Sequence, residues 1–454
     1  MTEHADVVVI GMGPGGEEAA TKLAQAGLDV VGVEKELLGG ECPYWACVPT
    51  KMMVRATDLL AEARRIPGMA GSATVTPDWT PVARRIRDEA TDNWNDKAAV
   101  ARFEKAGGRF VRGEGRFEAP GVVLVDGTTF EVSRAVVVAT GTRPAIPPVP
   151  GLDQVDYWTN RGAVQSEKVP SSLVVMGGGS VGCEFAQVFA RYGSRVTLVE
   201  GLRHLIPNED VEACELLQRI FAAEGIDVRT GAKAERVERG GDGITVTLDD
   251  GSQVSGERLL VATGRKTDLA AVGVGRLGLD EKAKWLEVDD HLRVKGAERV
   301  WAIGDVTGGG FTHIATYHAG ITVADILGQE VAGAEDVAIP RVTFTDPEVG
   351  AVGLTEKAAR ERGIDVRTGT SQVPSSARGW IHKAGNDGFI KLVEDAERGV
   401  LVGATSTGPV GGEVLSMLTL AVHARVPTAD LRRMVYAYPT FHRAVEDALR
   451  DLAG

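Results

Sequence analysis

The chain has 454 residues, of which 43% are hydrophobic and 57 are glycine, and it carries a net charge of −13 at pH 7. This length allows about three domains of ordinary size, and the composition predicts a globular α/β protein with many tight turns. The acidic balance argues against a nucleic acid or an anionic membrane as partner, because such surfaces attract an excess of lysine and arginine. The first residues hold no basic signal region and no apolar run is long enough to span a bilayer, so we expect a cytoplasmic protein.

The chain opens with a pattern typical of a dinucleotide-binding unit. Residues 6 to 34 predict a strand, a glycine loop, a helix and a second strand. Gly11, Gly13 and Gly16 let the backbone turn tightly and approach a pyrophosphate at the helix N-terminus. Glu34 ends the second strand 18 residues after Gly16, where an acid accepts a hydrogen bond from a ribose hydroxyl. The pattern therefore predicts a bound dinucleotide.

Two cysteines, Cys42 and Cys47, follow this unit within residues 39 to 51. Pro49 suits the first turn of a helix, which places Cys47 at a helix N-terminus, where a thiolate is favoured over a thiol. Lys51 adds a second positive charge one turn further along the same face. The segment therefore predicts a redox-active dithiol in which one sulfur is tuned to be an anion.

Two other interpretations of this cysteine pair compete with redox chemistry. A structural disulfide is disfavoured, because four cysteines in a chain without a signal peptide indicate a reducing compartment. A zinc site is the second, since His313 and His318 repeat the same spacing, but they lie far from the cysteines in the sequence. We predict no metal site. Cys183 and Cys214 lie in predicted helices among apolar residues and are expected to be inert core thiols.

The following segment predicts helices, then strands, then a linker. Helices are expected over residues 52 to 65 and about 81 to 106, the second with one solvated face. Residues 109 to 138 predict short strands separated by glycine turns. The proline-rich stretch from 144 to 151 cannot be helical, so we expect a domain linker there.

The opening pattern then repeats. Gly177, Gly179 and Gly182 follow a predicted strand, and Glu200 ends the next strand 18 residues after Gly182. Two such units imply two dinucleotides, and a permanently held flavin with an exchanging nicotinamide would suit a dithiol that is reduced by hydride. Glu200 favours NAD over NADP, because a carboxylate repels a 2′-phosphate. Arg203 is either a solvated surface residue or a phosphate ligand, so NADP is the alternative.

The rest of the chain predicts a cofactor contact and a further domain. Residues 300 to 306 predict a strand ending in an exposed acid, Asp305, which suits a contact to the ribityl or phosphate arm of a cofactor. The final part has no nucleotide motif. It predicts strands at 341 to 354 and 387 to 407 and helices at 411 to 424, 428 to 434 and 441 to 451.

Together these motifs resemble those of the class I FAD-dependent pyridine nucleotide-disulfide oxidoreductases, the family of dihydrolipoamide dehydrogenase, glutathione reductase and mercuric reductase. The resemblance covers essentially the whole chain. It implies an α/β fold with two Rossmann-like domains, for FAD and NAD(P), and a C-terminal α+β dimerisation domain. The implied FAD domain is discontinuous, 1–150 and 265–335, followed by 151–264 for NAD(P) and 336–454 for the interface. The resemblance also implies a homodimer that uses FAD and NAD(H), with NADP(H) as the alternative.

The resemblance further implies roles for individual residues. NADH would reduce FAD, and the flavin would pass two electrons to a Cys42–Cys47 disulfide, with Cys47 nearer the flavin and Cys42 attacking the acceptor. Lys51 would pair with Glu184 beside the flavin, and Tyr438 completes the expected catalytic set. The expected cofactor-binding residues are Gly11, Gly13, Gly16, Glu34, Lys51, Gly115, Thr140, Gly141, Gly177, Gly179, Gly182, Glu200, Gly264, Asp305 and His313.

The C-terminal motif departs from the family. In dihydrolipoamide dehydrogenase and glutathione reductase a histidine precedes Pro-Thr and a glutamate follows five residues later, whereas Tyr438 and Arg443 stand here. An unperturbed tyrosine titrates near about 10, so we expect little turnover of lipoamide or glutathione disulfide. Tyrosine here is similar to mercuric reductase, although that enzyme's C-terminal cysteine pair is missing. His442 is an alternative acid.

Three functions are consistent with this pattern. The first is an NAD(P)H-dependent flavoprotein reductase that uses Cys42 and Cys47 to reduce a small acceptor other than lipoamide. The second is a quinone reductase, or diaphorase, that does not require the dithiol. The third is a flavoprotein subunit or redox sensor with little turnover of any free acceptor. Tyr44 and Trp45, between the cysteines, either pack, narrow the pocket or stack an aromatic acceptor.

Overall fold

A computed structural model describes residues 1–241 and 243–453. The chain forms two compact units, and each collects three separate segments of the sequence. Unit 1 comprises Met1–Thr50, Arg84–Ala145 and Gly264–Glu335, and unit 2 comprises Lys51–Ala83, Ile146–Thr263 and the residues from Asp336 onward.

The first 145 residues alternate strands and helices before turning to a run of short strands. The strands are β1 Thr2–Ile10, β2 Val30–Glu34, β3 Arg109–Arg112, β4 Gly115–Ala119, β5 Val122–Val125, β6 Thr128–Val138 and β7 Arg143–Pro144. The helices are α1 Pro14–Gln25, α2 Glu41–Tyr44, α3 Cys47–Arg65, α4 Thr80–Arg85 and α5 Lys97–Lys105.

Residues 146–263 repeat the strand, helix, strand order and add a hairpin sheet. The strands are β8 Ser172–Met176, β9 Arg195–Glu200, β10 Asp227–Thr230, β11 Ala234–Gly240, β12 Gly243–Leu248, β13 Gln253–Gly256 and β14 Arg258–Val261. The helices are α6 Asn160–Val164, α7 Ser180–Arg191 and α8 Val211–Ala223.

The last part of the chain contributes two strands and two helices to unit 1 and a complete sheet to unit 2. The strands are β15 Arg265–Lys266, β16 Val300–Ala302, β17 Pro340–Thr343, β18 Glu348–Gly353, β19 Val366–Gln372, β20 Phe389–Asp395 and β21 Val400–Gly408. The helices are α9 Leu269–Val272, α10 Thr312–Ile326, α11 Glu356–Glu361, α12 Ala377–His382, α13 Gly411–His423, α14 Thr428–Arg433 and α15 Arg443–Asp451.

Unit 1 is built on a seven-stranded sheet in the order β3-β2-β1-β6-β5-β4, with β16 also paired to β6. The strands β3, β2, β1, β6 and β16 run parallel. Val7 and Val9 of β1 pack into one core, and Val8 and Ile10 pack into another, as the two-residue period of a strand requires. Because both faces are covered, the strand is apolar without alternation.

Unit 2 contains three sheets. A four-stranded parallel sheet has the order β10-β9-β8-β14, and an antiparallel sheet β11-β12-β13 shares its apolar core. The five-stranded antiparallel sheet β17-β18-β21-β20-β19 packs against α13 and α15 through side chains such as Leu392, Leu418 and Val445. Unit 2 therefore combines a second dinucleotide-type sheet with an α+β layer.

The predicted helix over residues 81 to 106 is wrong. The chain forms α4 and a π-helical turn, Ile86–Ala90, and then breaks before α5 begins. Asp92, Asn93 and Trp94 have φ angles of 46°, 56° and 55°, a left-handed backbone that a right-handed helix does not contain. Periodicity gave no sign of this turn, which is held by local hydrogen bonds, such as that from the Asn93 amide to the Arg87 carbonyl oxygen at 2.6 Å, and by contacts of Trp94 and Asp96 with distant residues.

The other predicted elements agree with the structure, although several further elements were not predicted. The strand, loop, helix and strand of both repeats are confirmed, and the helix predicted from residue 52 begins earlier, at Cys47. The sequence analysis did not predict several further elements, which include α6, β10 to β13, α9, the long helix α10, α11, β19 and α12. None of the helices within residues 1–241 and 243–453 combines the length and the apolar character that a bilayer crossing requires.

Several large apolar side chains of the C-terminal part are exposed to solvent. Trp380 is 75% exposed, Leu420 62% and Val435 94%. Large exposed apolar side chains are common at protein interfaces.

Candidate functional site

The helix around the cysteine pair is interrupted between the two sulfurs. α2 ends at Tyr44 and α3 begins at Cys47, and the amides of Trp45 and Ala46 both donate to the carbonyl oxygen of Glu41 at 2.8 Å. Cys47 is therefore the first residue of α3, as the sequence predicts. The positive end of the helix dipole at that position favours a thiolate over a thiol.

A hydroxyl group and the partner thiol surround the Cys47 sulfur. Both cysteines are thiols, and Cys47 Sγ lies 3.3 Å from Oγ1 of Thr312, the first residue of α10. A hydrogen bond with the Cys47 side chain raises the pKa of Cys42 strongly, burial raises it further, and Thr312 lowers it in part. Cys42 is therefore the sulfur that keeps its proton, and Cys47 is the one placed to carry charge.

Sequence reasoning missed Thr312 and named its neighbour instead. His313 was one of the predicted cofactor-binding residues; its exposed ring stacks on Phe311 with the centroids 5.2 Å apart, and its role stays a prediction. The sequence analysis did not predict α10, so no signal pointed to its first residue. Its contact with a cysteine 265 residues earlier could not be read from spacing.

The first glycine loop leaves open space in front of α1. Gly11 has a φ of 93°, and a Cβ added at Gly16 would lie 2.0 Å from the Gly11 carbonyl oxygen, so a side chain is excluded there. No described atom of the chain lies within 4 Å of a Cβ added at Gly13. A Cβ at Gly40 would lie 2.8 Å from Gly13 Cα, and one at Gly15 the same distance from the Ala315 carbonyl oxygen. The cradle fits a pyrophosphate and is closed in on two sides.

The acid at the end of β2 is held by backbone amides. Glu34 Oε2 accepts from the Met12 amide at 2.9 Å, and Oε1 accepts from the Glu36 amide at 2.8 Å. Burial raises the pKa of Glu34. Gly115, at the start of β4, is buried against Val33, where an added Cβ would lie 3.1 Å from Cγ1. Gly115 therefore packs beside the strand ends.

Asp305 is half-buried, so the predicted exposed acid is wrong. It lies in the 3₁₀ turn Gly304–Thr307, and its Oδ2 accepts from the Thr142 hydroxyl at 2.6 Å. Arg265 Nε in turn donates to Thr142 Oγ1 at 2.8 Å. The Asp305 carboxylate is therefore held by a hydrogen-bonded chain of Thr142 and Arg265 and does not depend on water alone for its hydrogen bonds.

Three further predicted residues lie in turns of unit 1. Thr140 and Gly141 follow β6, with Thr140 exposed and Gly141 at a φ of 62°. Gly264 precedes β15 with a φ of 115°, and its carbonyl oxygen accepts from the Ala145 amide at 2.9 Å. These positive φ angles favour glycine for conformational reasons alone.

The second glycine loop repeats the first in its backbone but not in its surroundings. Gly177 has a φ of 107°, and a Cβ added at Gly182 would lie 1.9 Å from the Gly177 carbonyl oxygen. No described atom lies within 4 Å of a Cβ added at Gly179. The helix that follows, α7, begins with the exposed residues Ser180 and Val181. This cradle also fits a pyrophosphate, and its helix start is open to solvent.

The acid of the second repeat is held in the same way as Glu34. Glu200 Oε2 accepts from the Gly178 amide at 2.6 Å, and Oε1 accepts from the Leu202 amide at 2.7 Å. Arg203 is exposed. An exposed position is consistent both with a solvated surface arginine and with a ligand of a 2′-phosphate.

The other two cysteines are core residues, as predicted. Cys183 and Cys214 are 0% and 2% exposed. Burial raises the pKa of Cys183, and it raises the pKa of Cys214 to about 12. A neutral, inaccessible thiol is inert, so thiol chemistry at neutral pH falls to Cys42 and Cys47, which are half-buried.

Lys51 and Glu184 form an ion pair in unit 2. Lys51 Nζ lies 2.6 Å from Glu184 Oε2, and Oε1 of the same carboxylate accepts from the Phe344 amide at 2.9 Å. The Glu184 side chain is 8% exposed and that of Lys51 is 35% exposed. Lys51 Nζ also lies 4.6 Å from the centroid of the Phe344 ring. The lysine is therefore positioned by the Glu184 carboxylate and the Phe344 ring, and the carboxylate is itself held by a backbone amide.

The C-terminal motif presents its tyrosine to solvent. Tyr438 is 71% exposed, and the Arg443 guanidinium lies 5.5 Å from the centre of its ring. Arg443 also pairs with Glu446 at 2.8 Å. His442 is the half-buried residue that precedes α15. Neither Tyr438 nor His442 is enclosed by its own chain.

Comparison with known proteins identifies the family. A model for pyridine nucleotide-disulphide oxidoreductases matches residues 5–324, and a model for their dimerisation domain matches residues 339–449. The chain belongs to the pyridine nucleotide-disulphide oxidoreductase family. A dihydrolipoyl dehydrogenase of Chlorobaculum tepidum is 34% identical over 98% of this chain and 96% of that protein. A mercuric reductase of Streptomyces lividans is 33% identical over 97% of this chain and 94% of that protein.

Solved structures of similar proteins share the whole fold. LpdA from Mycobacterium tuberculosis is 27% identical with a TM-score of 0.87, and the match covers 98% of this chain and 99% of that one. The Cu(II) complex of the HOCl-induced flavoprotein disulfide reductase RclA from Escherichia coli is 25% identical with a TM-score of 0.85 and covers 99% of both chains.

Family membership confirms several predictions at once. The chain is an enzyme of the class, with the predicted α/β fold and a C-terminal dimerisation domain. Pyridine nucleotide-disulphide oxidoreductases use FAD and NAD(P)H, so the predicted cofactors are confirmed. The dimerisation domain indicates a homodimer, which the exposed Trp380, Leu420 and Val435 also favour. The domain boundaries, the roles of single residues and the cytoplasmic location stay predictions.

Proposed function

We propose that this enzyme is an NAD(P)H-dependent flavoprotein reductase that uses the Cys42–Cys47 dithiol to reduce a small acceptor other than lipoamide. The observation that carries the proposal is the division of labour between the two sulfurs. Cys47 starts α3 beside the Thr312 hydroxyl at 3.3 Å, and its hydrogen bond holds the proton on Cys42. One sulfur is thus prepared as an anion and the other as a thiol for exchange.

The chain's own residues prepare two dinucleotide sites. Bound FAD supplies a two-electron relay between a nicotinamide and a disulfide. The loop of Gly11, Gly13 and Gly16 would hold its pyrophosphate, and Glu34 its ribose. The Thr142 hydroxyl holds the Asp305 carboxylate, which we assign to the ribityl or phosphate arm.

The second loop would hold the nicotinamide dinucleotide. Gly177, Gly179 and Gly182 form its cradle, and Glu200 would accept from the ribose hydroxyls, which favours NADH. Lys51 and Glu184 form the charged pair that we assign to the flavin ring. A positive charge fixed by Glu184 and Phe344 would stabilise negative charge without having to reorganise.

Two features separate this site from that expected for lipoamide. Tyr438 and Arg443 stand where lipoamide dehydrogenases and glutathione reductases have an acid-base histidine and glutamate. The place of that histidine is therefore taken by an exposed phenol beside a guanidinium. His442 is the alternative acid, and we propose that the exposed motif completes the site of the partner subunit.

The first experiment is an anaerobic titration of the purified enzyme with NADH. A long-wavelength charge-transfer band should appear at two electrons and be lost in Cys47→Ser, whereas Cys42→Ser should show it without added reductant. A wild-type enzyme that shows no band with both cysteines intact would contradict the proposal. Full quinone reductase activity in the Cys42→Ser, Cys47→Ser double variant would instead support a diaphorase.

The second experiment is an acceptor screen with NADH and NADPH. Lipoamide, glutathione disulfide, mycothiol disulfide, quinones, Hg(II) and Cu(II) would be compared at equal concentrations. We expect lipoamide and glutathione disulfide to be poor acceptors. Negligible turnover with all of them, together with a stable partner in pull-downs, would favour a subunit or sensor role.

A soft metal ion is the second candidate acceptor. Relatives at 31 to 33% identity are named mercuric reductases, and RclA has been crystallised with Cu(II). Two half-buried thiols beside a hydroxyl are suitable donors for such an ion. Metal-dependent NADPH or NADH oxidation that disappears in Cys42→Ser would favour this acceptor over a disulfide.

A further inference from the structure

The break between α2 and α3 decides whether the two sulfurs can meet. In a continuous α-helix, residues five apart differ by about 140° around the axis, so Cys42 and Cys47 would point to different sides. The interruption at Trp45 and Ala46 removes that constraint, and the two cysteine side chains are hydrogen-bonded to each other. The break is thus a requirement for dithiol chemistry.

A tryptophan from a distant segment donates a hydrogen bond to the backbone carbonyl group at this break. In an unbroken helix the Tyr44 carbonyl oxygen would accept from the amide four residues later. Here it accepts from Trp94 Nε1 at 3.2 Å. The Tyr44 ring is buried, and its hydroxyl donates to the Leu38 carbonyl oxygen at 3.1 Å. Hydrogen bonds therefore hold both the hydroxyl and the backbone carbonyl of Tyr44, and the one from Trp94 acts on the backbone between the two cysteines.

The backbone segment that positions the Trp94 indole has an unfavourable conformation. Asp92, Asn93 and Trp94 are consecutive residues with left-handed φ angles, which residues other than glycine rarely adopt. Such conformations persist only where surrounding contacts enforce them, and they concentrate at functional sites. The buried Asp96 carboxylate anchors the end of this turn by accepting from the Leu38 amide at 2.7 Å.

We propose that Trp94 is a positioning residue for the Cys42–Cys47 dithiol. Its indole N–H holds the Tyr44 carbonyl and thereby fixes the break that brings the sulfurs together. The inference rests on the proposed function, in which this dithiol is redox-active. A held thiol meets its partner at a high effective concentration, which favours the disulfide over the dithiol. Releasing the hold shifts this equilibrium toward the dithiol.

The test compares the thiol–disulfide equilibrium of the intact flavoenzyme in three forms. In Trp94→Phe the ring stays and the N–H is lost. Replacement of Trp94 by benzothienylalanine keeps the shape of the indole and puts sulfur in place of N–H, so it tests the hydrogen bond even where Trp94→Phe fails to fold. Trp285→Phe, at a 42% exposed tryptophan of unit 1, is the matched control.

The dithiol midpoint potential is measured by redox titration, with the charge-transfer absorbance as the readout. We expect both Trp94 replacements to shift the equilibrium about tenfold toward the dithiol, which is about 30 mV less negative for a two-electron couple. The control should stay at the wild-type value. A normal wild-type couple that moves less than twofold in both replacements refutes the positioning role alone. A wild-type enzyme without a dithiol couple refutes the proposed function and the positioning role together.

Discussion

The two glycine loops have the same backbone and different surroundings. Both begin with a glycine at positive φ. In both, a Cβ added at the third glycine would lie about 2 Å from a backbone carbonyl oxygen, so no side chain fits there. The loop of unit 1 is closed in by Gly40 and Ala315, whereas α7 in unit 2 starts with exposed Ser180 and Val181. Two loops with the same backbone turn can therefore differ in how long they hold a ligand, because the residues around each loop decide how easily the ligand dissociates.

The largest effect is expected from the third glycine of each loop. Gly16→Ala and Gly182→Ala each force a Cβ against a backbone oxygen, at 2.0 and 1.9 Å. We expect Gly16→Ala to lose bound flavin and about 100-fold in activity, because misplaced groups are costly to catalysis. Gly182→Ala should keep its flavin and raise the KM for NADH about tenfold.

The ratio of flavin to protein absorbance and steady-state kinetics measure this difference. Equal flavin loss in the two variants would show that the loops are not specialised as described. Gly278→Ala serves as a control for a glycine at positive φ outside both loops. It should retain flavin, since its φ of 80° costs stability without touching either cradle.

A smaller effect is expected when one ion pair is removed from each unit. In unit 2, Lys51→Met leaves the buried Glu184 carboxylate without its cation and should lower the free energy of unfolding by about 2 kcal/mol, allowing for partial exposure of the lysine. In unit 1, Lys22→Met removes a helical surface pair with Glu18 and should cost less than about 0.5 kcal/mol. Urea denaturation measures both, and equal losses would contradict the contrast.

Unit 2 should also respond to pH. Burial raises the pKa of Glu348 from 4.5 to about 7 and that of Asp58 from 3.8 to about 6. The folded state then holds protons that the unfolded state has released, so the free energy of unfolding falls as pH rises from about 4.5 to about 7. Glu348→Gln should remove about 3 kcal/mol of this fall. An unchanged pH profile by thermal denaturation would contradict it.

The smallest effect concerns the acids of the two loops. Glu200→Gln should raise the preference for NADPH over NADH about fivefold, since the 2′-phosphate no longer meets a carboxylate. Glu34→Gln should leave that preference unchanged, because its loop is assigned to the flavin. Arg203→Ala distinguishes a surface arginine from a phosphate ligand through the KM for NADPH. A preference that moves in Glu34→Gln and not in Glu200→Gln would reverse the two assignments.

Local rules predicted the parts of the site that local geometry determines. Both glycine loops, the acids at their strand ends and the position of Cys47 at a helix start follow from residues within one supersecondary unit. The partners of the cysteine segment did not follow. Thr312 and Trp94 reach it from segments 265 and 50 residues away, and nothing in the local pattern marks such a contact.

The same reasoning explains the two wrong predictions. The helix over residues 81 to 106 fails at a left-handed turn that is held by the contacts of Trp94 and Asp96. Asp305 was placed at the surface because an acid usually is, but Thr142 and Arg265 provide a polar environment. In both cases the deciding partner is remote in the sequence and close in the fold.

The solvent-facing Trp380, Leu420 and Val435 lie in the part of the chain that matches the dimerisation domain. A separated subunit would expose these side chains to water, and the Tyr438 that we assign to the partner's site would have no site to complete. From that assignment we expect activity to fall when the enzyme is diluted below the dissociation constant of the dimer, before either subunit unfolds. The amount of enzyme in a cell would then set the fraction of active molecules as well as their number.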